Sequence, residues 1–249
     1  MLSDHLHSNR FLTPSQPLAR NRLSAWEVHQ VRICACQRCP RLVAYHAALA
    51  ERASRSQPAL PFWNKPVPGF GDPFARLMVI GLSPSLTGSN RTGRLFSGDA
   101  SADYLFANLH RAGFASHATS QEFGDGALLT DAYIASIGRC AAPKNRPLLA
   151  ELDSCEPFLQ EELNLLERLE GIITLGHPAF DRVLTVFRRR GADIPTVKFQ
   201  NGALVRLGKG LPWVLCSYHP SPKNTQIDHL NRDQSEAVWQ TARALIDRG

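Results

Sequence analysis

The sequence predicts an α/β fold built on a parallel sheet, on two observations. Four short apolar runs, at residues 76–82, 132–137, 171–175 and 213–218, have the composition of strands buried on both faces. Helix-patterned segments lie between them, at residues 102–112, 147–169 and 178–189, and strands that alternate with helices favour parallel pairing.

Taken in order, residues 1–22 are polar, contain Pro14 and Pro17, and read as a disordered extension ahead of a single domain at residues 23–249. Ser24 with Glu27 three residues on has the form of a capping box and is expected to open the first helix. That helix leads into Cys34, Cys36 and Cys39, after which Pro40 can start a second helix over residues 41–52. Residues 54–73 hold too many prolines and aromatics for a flexible linker and are expected to form an ordered loop. A hairpin is expected at residues 197–199 and 203–206, turned by Asn201-Gly202.

The chain has 249 residues, 43% hydrophobic and 20% charged, which suits a soluble globular protein with one large core. No apolar run approaches the roughly 18–20 residues of a membrane span. The first 25 residues lack the apolar stretch of a secretory signal, so an intracellular, cytoplasmic chain with no membrane partner is expected. A net charge of +6 suits a nucleic-acid partner, because Lys and Arg displace counterions from phosphates.

Cys36-Gln-Arg-Cys39 is a C-x₂-C pair, and Cys140 and Cys155 form a second pair far along the chain. Clustered cysteines in an intracellular chain point to metal rather than disulfides. Spacing alone leaves tetrahedral zinc and a [4Fe–4S] cluster equally open, and leaves Cys34 as a substitute for Cys36. Cys216, inside an apolar strand, reads as a buried thiol.

Each parallel strand is followed by a distinctive loop, and ligands of open parallel sheets bind beyond the carboxyl ends of the strands. The loops contain Gly81-Leu-Ser-Pro84, Gly88-Ser-Asn-Arg-Thr-Gly-Arg94 and Phe96-Ser-Gly-Asp-Ala-Ser101; Asp131-Ala-Tyr-Ile-Ala-Ser-Ile-Gly-Arg-Cys140 with the run from Ala142 to Pro147; Gly176-His177-Pro178; and His219-Pro-Ser-Pro-Lys-Asn224. In this order, from about Cys36 to Asn224, the chain resembles the family 5 uracil-DNA glycosylases. The resemblance implies a three-layer α/β/α fold around a four-stranded parallel sheet. It implies a [4Fe–4S] cluster on Cys36, Cys39, Cys140 and Cys155. It also implies a monomeric, cytoplasmic, nucleoid-associated enzyme of prokaryotic type that acts on single- or double-stranded DNA containing deaminated bases.

The residue chemistry can be read beside the resemblance. A base inside a duplex must be flipped into a pocket before its glycosidic bond can be broken. The pocket needs a stacking face, polar groups for the base edge, and donors for the charge that develops on the leaving base. His219, at a strand end, is the candidate donor. Phe96 is the stacking candidate, with a core role as the alternative. Gly81 and the amides after it can hold a base carbonyl. Asp99 either positions the water or caps the helix that follows. Asn145 is either a second polar catalytic group or a turn residue.

Related families carry an acidic or polar residue after the first-motif glycine, where this chain has Leu82. They carry a base-reading Asn where this chain has Ser136. Ser cannot make the bidentate contact of Asn, so hypoxanthine and xanthine are expected substrates beside uracil. Arg91, Arg94, Arg139, Lys144, Arg146, Ser221, Lys223 and Asn224 lie in the same loops and are expected to grip DNA.

A non-catalytic lesion-binding iron–sulfur protein is the alternative reading. A Rossmann enzyme is disfavoured by the lack of G-x-G-x-x-G after the first strand, and a serine hydrolase using Ser83 or Ser221 by the lack of G-x-S-x-G.

Overall fold

The computed structural model describes residues 17–56, 62–226 and 230–248. Most of the expected extension at residues 1–22 lies outside the described residues. Its last part belongs to helix α1, Pro17–Cys34. The helix therefore starts at Pro17 rather than at Ser24, which lies inside it; proline suits a first turn because its missing N–H has no helical partner there. Helix α2, Pro40–Ser56, follows the cysteine turn.

The remaining elements alternate. They are β1 Phe70–Gly71, β2 Leu77–Gly81, α3 Ser89–Thr92, α4 Ala100–Arg111, β3 Ala132–Ser136, α5 Leu149–Leu165, β4 Gly171–Leu175, α6 His177–Arg189, β5 Leu204–Arg206, β6 Trp213–Ser217, α7 Pro222–Gln226 and α8 Arg232–Ile246, with a 3₁₀ turn at Pro143–Asn145. The sheet order is β1-β3-β2-β4-β6-β5. β3, β2, β4 and β6 run parallel, while β1 and β5 pair antiparallel at the two edges. The sheet is thus six-stranded and mixed rather than four-stranded and parallel; the added strands are edge pieces of two and three residues.

The expected hairpin is also different. Residues 197–199 are not a strand, and β5 pairs with β6. Asn201-Gly202 still makes a turn, with Gly202 at φ 78°.

Every residue of the four parallel strands is buried. Successive side chains serve opposite faces, the period-two alternation of a strand. Met78, Ile80, Tyr133, Ala135, Ile172 and Val214 pack with Trp26 of α1, Leu159 of α5 and Phe180 of α6. Leu77, Val79, Ile134, Ile173 and Leu215 pack with Phe106 of α4 and Trp239 of α8. This is the three-layer α/β/α arrangement. Each Leu, Ile, Val, Met or Phe among them contributes about 1.5–3 kcal/mol by leaving water. At the amino end of the sheet Arg76 clamps Asp131 and the carbonyl of Ile246, tying β2, the entry to β3 and the end of α8 together. The carboxyl end is left for the loops. No helix among the described residues is long and apolar enough to cross a membrane.

Candidate active site and cysteine cluster

A cavity of about 550 Å³ opens at the carboxyl end of the parallel strands, lined by Leu82, Phe96, Asp99, Ser136, Asn145 and His219 among others. Its size is in the ordinary range of small-molecule sites. The loops after β2, β3 and β6 therefore converge, while that after β4 contributes differently. His177 faces away, stacked 5.5 Å from Phe199. Gly176, at φ 93°, brings its backbone beneath His219; a side chain there would begin 3.5 Å from the His219 Cβ.

Phe96 and His219 flank the cavity with ring centroids 6.0 Å apart. Phe96 has a left-handed backbone, φ 51°, which is uncommon for a bulky residue. Its N–H donates to Ser89 Oγ at 3.0 Å, which helps hold it there. Gly81 makes the room: a Cβ at that position would lie 3.1 Å from the Phe96 ring. The His219 carbonyl accepts from the Ser221 N–H and from Asn224 Nδ2, both at 2.8 Å. Burial lowers the His219 pKa below its ordinary value, against the opposing pull of the Asp99 carboxylate. The imidazole is therefore neutral at pH 7, with one ring N–H to donate and one lone pair.

Asp99 is the N-cap of α4, its Oδ1 accepting from the Ala102 N–H at 2.9 Å. Its Oδ2 accepts from Ser85 Oγ, and Ser85 Oγ accepts in turn from the Ser89 N–H at 3.2 Å. Capping does not take Asp99 away from the cavity, since each carboxylate oxygen keeps a free lone pair. Ser85 and Ser89, which link Phe96 to Asp99, were not singled out from the sequence, although both lie inside the first motif. Ser136 is fully buried and its hydroxyl donates to the Gly138 carbonyl at 2.7 Å. Asn145 is exposed at the rim, where it and Lys144 both have φ 54°, so the turn role and the rim position coexist.

The basic loop residues separate into two groups. Lys144, Arg146 and Lys223 are exposed. Arg91 is half-buried and bonds the Thr87 carbonyl at 3.0 Å. Arg94 and Arg139 are not DNA contacts: they are 4% and 1% exposed and paired with Asp125 and Glu162. Asn224 uses an amide N–H on the His219 carbonyl, which holds the loop. Arg94 grips Asp125 with two nitrogens and reaches Ser120 Oγ with one of them. Arg94→Ala would remove the ion pair while Asp125 keeps its bonds from the Gln121, Glu122 and Ala127 N–H groups, and is expected to cost about 1–3 kcal/mol. Urea denaturation should show that loss, with DNA affinity of the folded fraction unchanged.

On the far side of the loop after β3, the C-x₂-C turn and the helix after it are fastened to the rest of the chain by three side chains. Arg38 Nη1 donates to the Ser154 carbonyl at 3.3 Å. Arg41 makes a two-pronged pair with Glu151, at 2.8 and 2.6 Å. His46 Nε2 lies 3.0 Å from the Ala141 carbonyl. These bonds bracket Cys36, Cys39, Cys140 and Cys155. Burial pushes the Cys140 thiol well above its ordinary value, and Cys155, Cys36 and Cys39 push it the same way. Among the described residues no three His, Cys, Asp or Glu side chains are tight enough for a single metal ion. Cys34 lines a cavity of about 450 Å³ beside Cys36 and Cys140. Cys216 is a buried thiol in β6.

Comparison with known proteins agrees with this geometry. A family model for the uracil DNA glycosylase superfamily matches residues 68–243. The chain is 41% identical over 215 residues to the type-5 uracil-DNA glycosylase of Thermus thermophilus, covering 86% of this chain and 94% of that protein. It is 38% identical over 218 residues to the Pyrobaculum aerophilum type-5 enzyme, covering 88% and 91%. It is 36% identical over 214 residues to that of Mycobacterium tuberculosis, covering 86% and 79%. With its sheet, its carboxyl-edge cavity and its motifs matched along most of its length, the chain belongs to the uracil DNA glycosylase superfamily.

Proposed function

We propose that this protein hydrolyses the N-glycosidic bond of uracil, and of hypoxanthine and xanthine, in single- or double-stranded DNA. The observation that carries the reading is the cavity flanked by Phe96 and His219, with the Ser136 hydroxyl locked onto Gly138. The protein acts as a monomer in the cytoplasm, on the nucleoid.

A flipped base stacks on Phe96. The bond between C1′ and the base nitrogen breaks with its electron pair leaving on the base, and the sugar becomes cationic. His219 donates its ring N–H to the oxygen on which the base charge collects. Water adds at C1′, giving an abasic site and a free base. Leu82 cannot activate that water, so Asp99 accepts its hydrogen bond and Asn145 faces it from the rim.

Selectivity follows from Ser136. Because its proton is committed to Gly138, it can offer a base edge only a lone pair. Uracil, hypoxanthine and xanthine each carry a ring N–H beside a carbonyl, as guanine and thymine also do, whereas cytosine and adenine do not, so Ser136 separates uracil from cytosine and hypoxanthine from adenine. Ser136→Asn would add a donor and a bidentate geometry, and is expected to raise the ratio of uracil to hypoxanthine excision at least about tenfold. Competition between otherwise identical lesion-bearing duplexes measures this ratio. The breadth itself is tested by base release from duplexes holding one uracil, one hypoxanthine or one xanthine. Excision of uracil alone contradicts it.

Cys36, Cys39, Cys140 and Cys155 would hold a [4Fe–4S] cluster, which would tie the α1–α2 turn, the loop after β3 and α5 together. Four thiol side chains are the donor set such a cluster takes. The buried guanidinium of Arg139, the residue before Cys140, has donors with no partner among the described residues.

A further inference from the structure

Arg139 precedes Cys140, and its guanidinium is enclosed at 1% exposure. Its Nη2 pairs with Glu162 Oε2, itself fully buried. Its Nε and Nη1 are buried with no hydrogen-bond partner among the described residues. A charged donor taken out of water without an acceptor is costly, and native interiors rarely tolerate two on one side chain.

The surroundings offer no second acid. Glu162 also accepts from the Tyr133 hydroxyl at 3.3 Å and lies 3.9 Å from His29 Nε2. Burial, with the charges of Arg139 and Arg32, holds His29 neutral, its pKa lowered to about 4. One carboxylate therefore faces one guanidinium that still has donors to spare. Arg139 is the residue before Cys140, and its partner Glu162 lies on α5 about two helical turns beyond Cys155. Arg38, the cation within the C-x₂-C turn, is exposed and therefore screened. Glu151, the acid on the cluster's other flank, is neutralised by Arg41.

We propose that Arg139 is the buried counter-charge of the cysteine-bound cluster and sets its reduction potential. The proposal rests on the iron–sulfur reading of the four cysteines. A [4Fe–4S] group on four thiolates carries two net negative charges when oxidised and three after it takes one electron. A fixed buried cation near the thiolate set favours the reduced form, because net charge is one of the factors that tune such potentials. Glu162 opposes this effect, so Arg139 and Glu162 should move the potential in opposite directions.

The test is iron and sulfide analysis with spectroelectrochemical titration of the full chain, purified without oxygen. Arg139→Met should lower the potential by at least tenfold in the one-electron equilibrium, about 59 mV. Glu162→Gln should raise it, and Arg38→Gln should leave it near the wild-type value. Loss of iron from folded R139M while R139K keeps it would support the same role. If R139M does not fold, the upward shift in E162Q decides the matter. Loaded R139M and E162Q at the wild-type potential would overturn the role of Arg139 alone. A wild-type chain purified with no iron would remove the cluster reading, and this inference with it.

Discussion

His219→Ala is expected to slow uracil release about 10²–10³-fold, the usual effect of deleting one donor to a developing oxyanion. The loss should fall on kcat more than on KM, because the charge on the base exists only as the bond breaks. The fixed position of His219 makes the donor effective. Its carbonyl is held by Ser221 and Asn224, and Gly176 closes beneath it. The direction of the pKa shift fixes the pH dependence. Burial depresses the imidazole pKa below 6.5, so the neutral donor predominates at pH 7 and above. Activity should be flat on that side and change only as pH falls below about 6.5, where the ring gains a proton. Single-turnover rates of the wild type should stay level from pH 8 down to about 6.5, and the limb found below that should be absent in His219→Ala.

Cys155→Ala is the second large effect. Cys155 is buried in α5, and with Cys140 it would fasten that helix and the loop after β3 to the Cys36–Cys39 turn. If the four cysteines hold a cluster, the variant should lose its iron and more than about 4 kcal/mol of stability, as when a metal site is destroyed. A buried thiol with no ligand role would cost only about 1 kcal/mol when trimmed to Ala. Iron content and thermal unfolding, measured on the same samples, separate these cases. Full iron in C155A would remove this residue from the ligand set.

The parallel strands were legible because each is buried on both faces and so leaves a continuous apolar run. β1 and β5 left no such trace, being two and three residues long and lying at the sheet edges. Helix α8 did leave a signal that went unread: the Asn231–Gln234 capping box, followed by Val238, Trp239, Ala242 and Ile246 at helical spacing. The cavity residues were legible from the motifs. Their secondary duties were not, because these depend on partners brought close only by folding. Arg94 and Arg139 share loops with exposed cations, and nothing local announces Asp125 or Glu162 as their partners, 31 and 23 residues away. Asp99 admitted two roles in the sequence, and the structure shows the cap without withdrawing the residue from the cavity.

The most direct measurement is base release from duplex DNA carrying a single uracil, followed by alkali to cut the abasic site. The account predicts strand cleavage by the wild-type chain, little by His219→Ala, and none in DNA without a lesion. Tight, lesion-selective binding by an iron-loaded chain that releases no base would contradict it and identify a sensor in place of an enzyme.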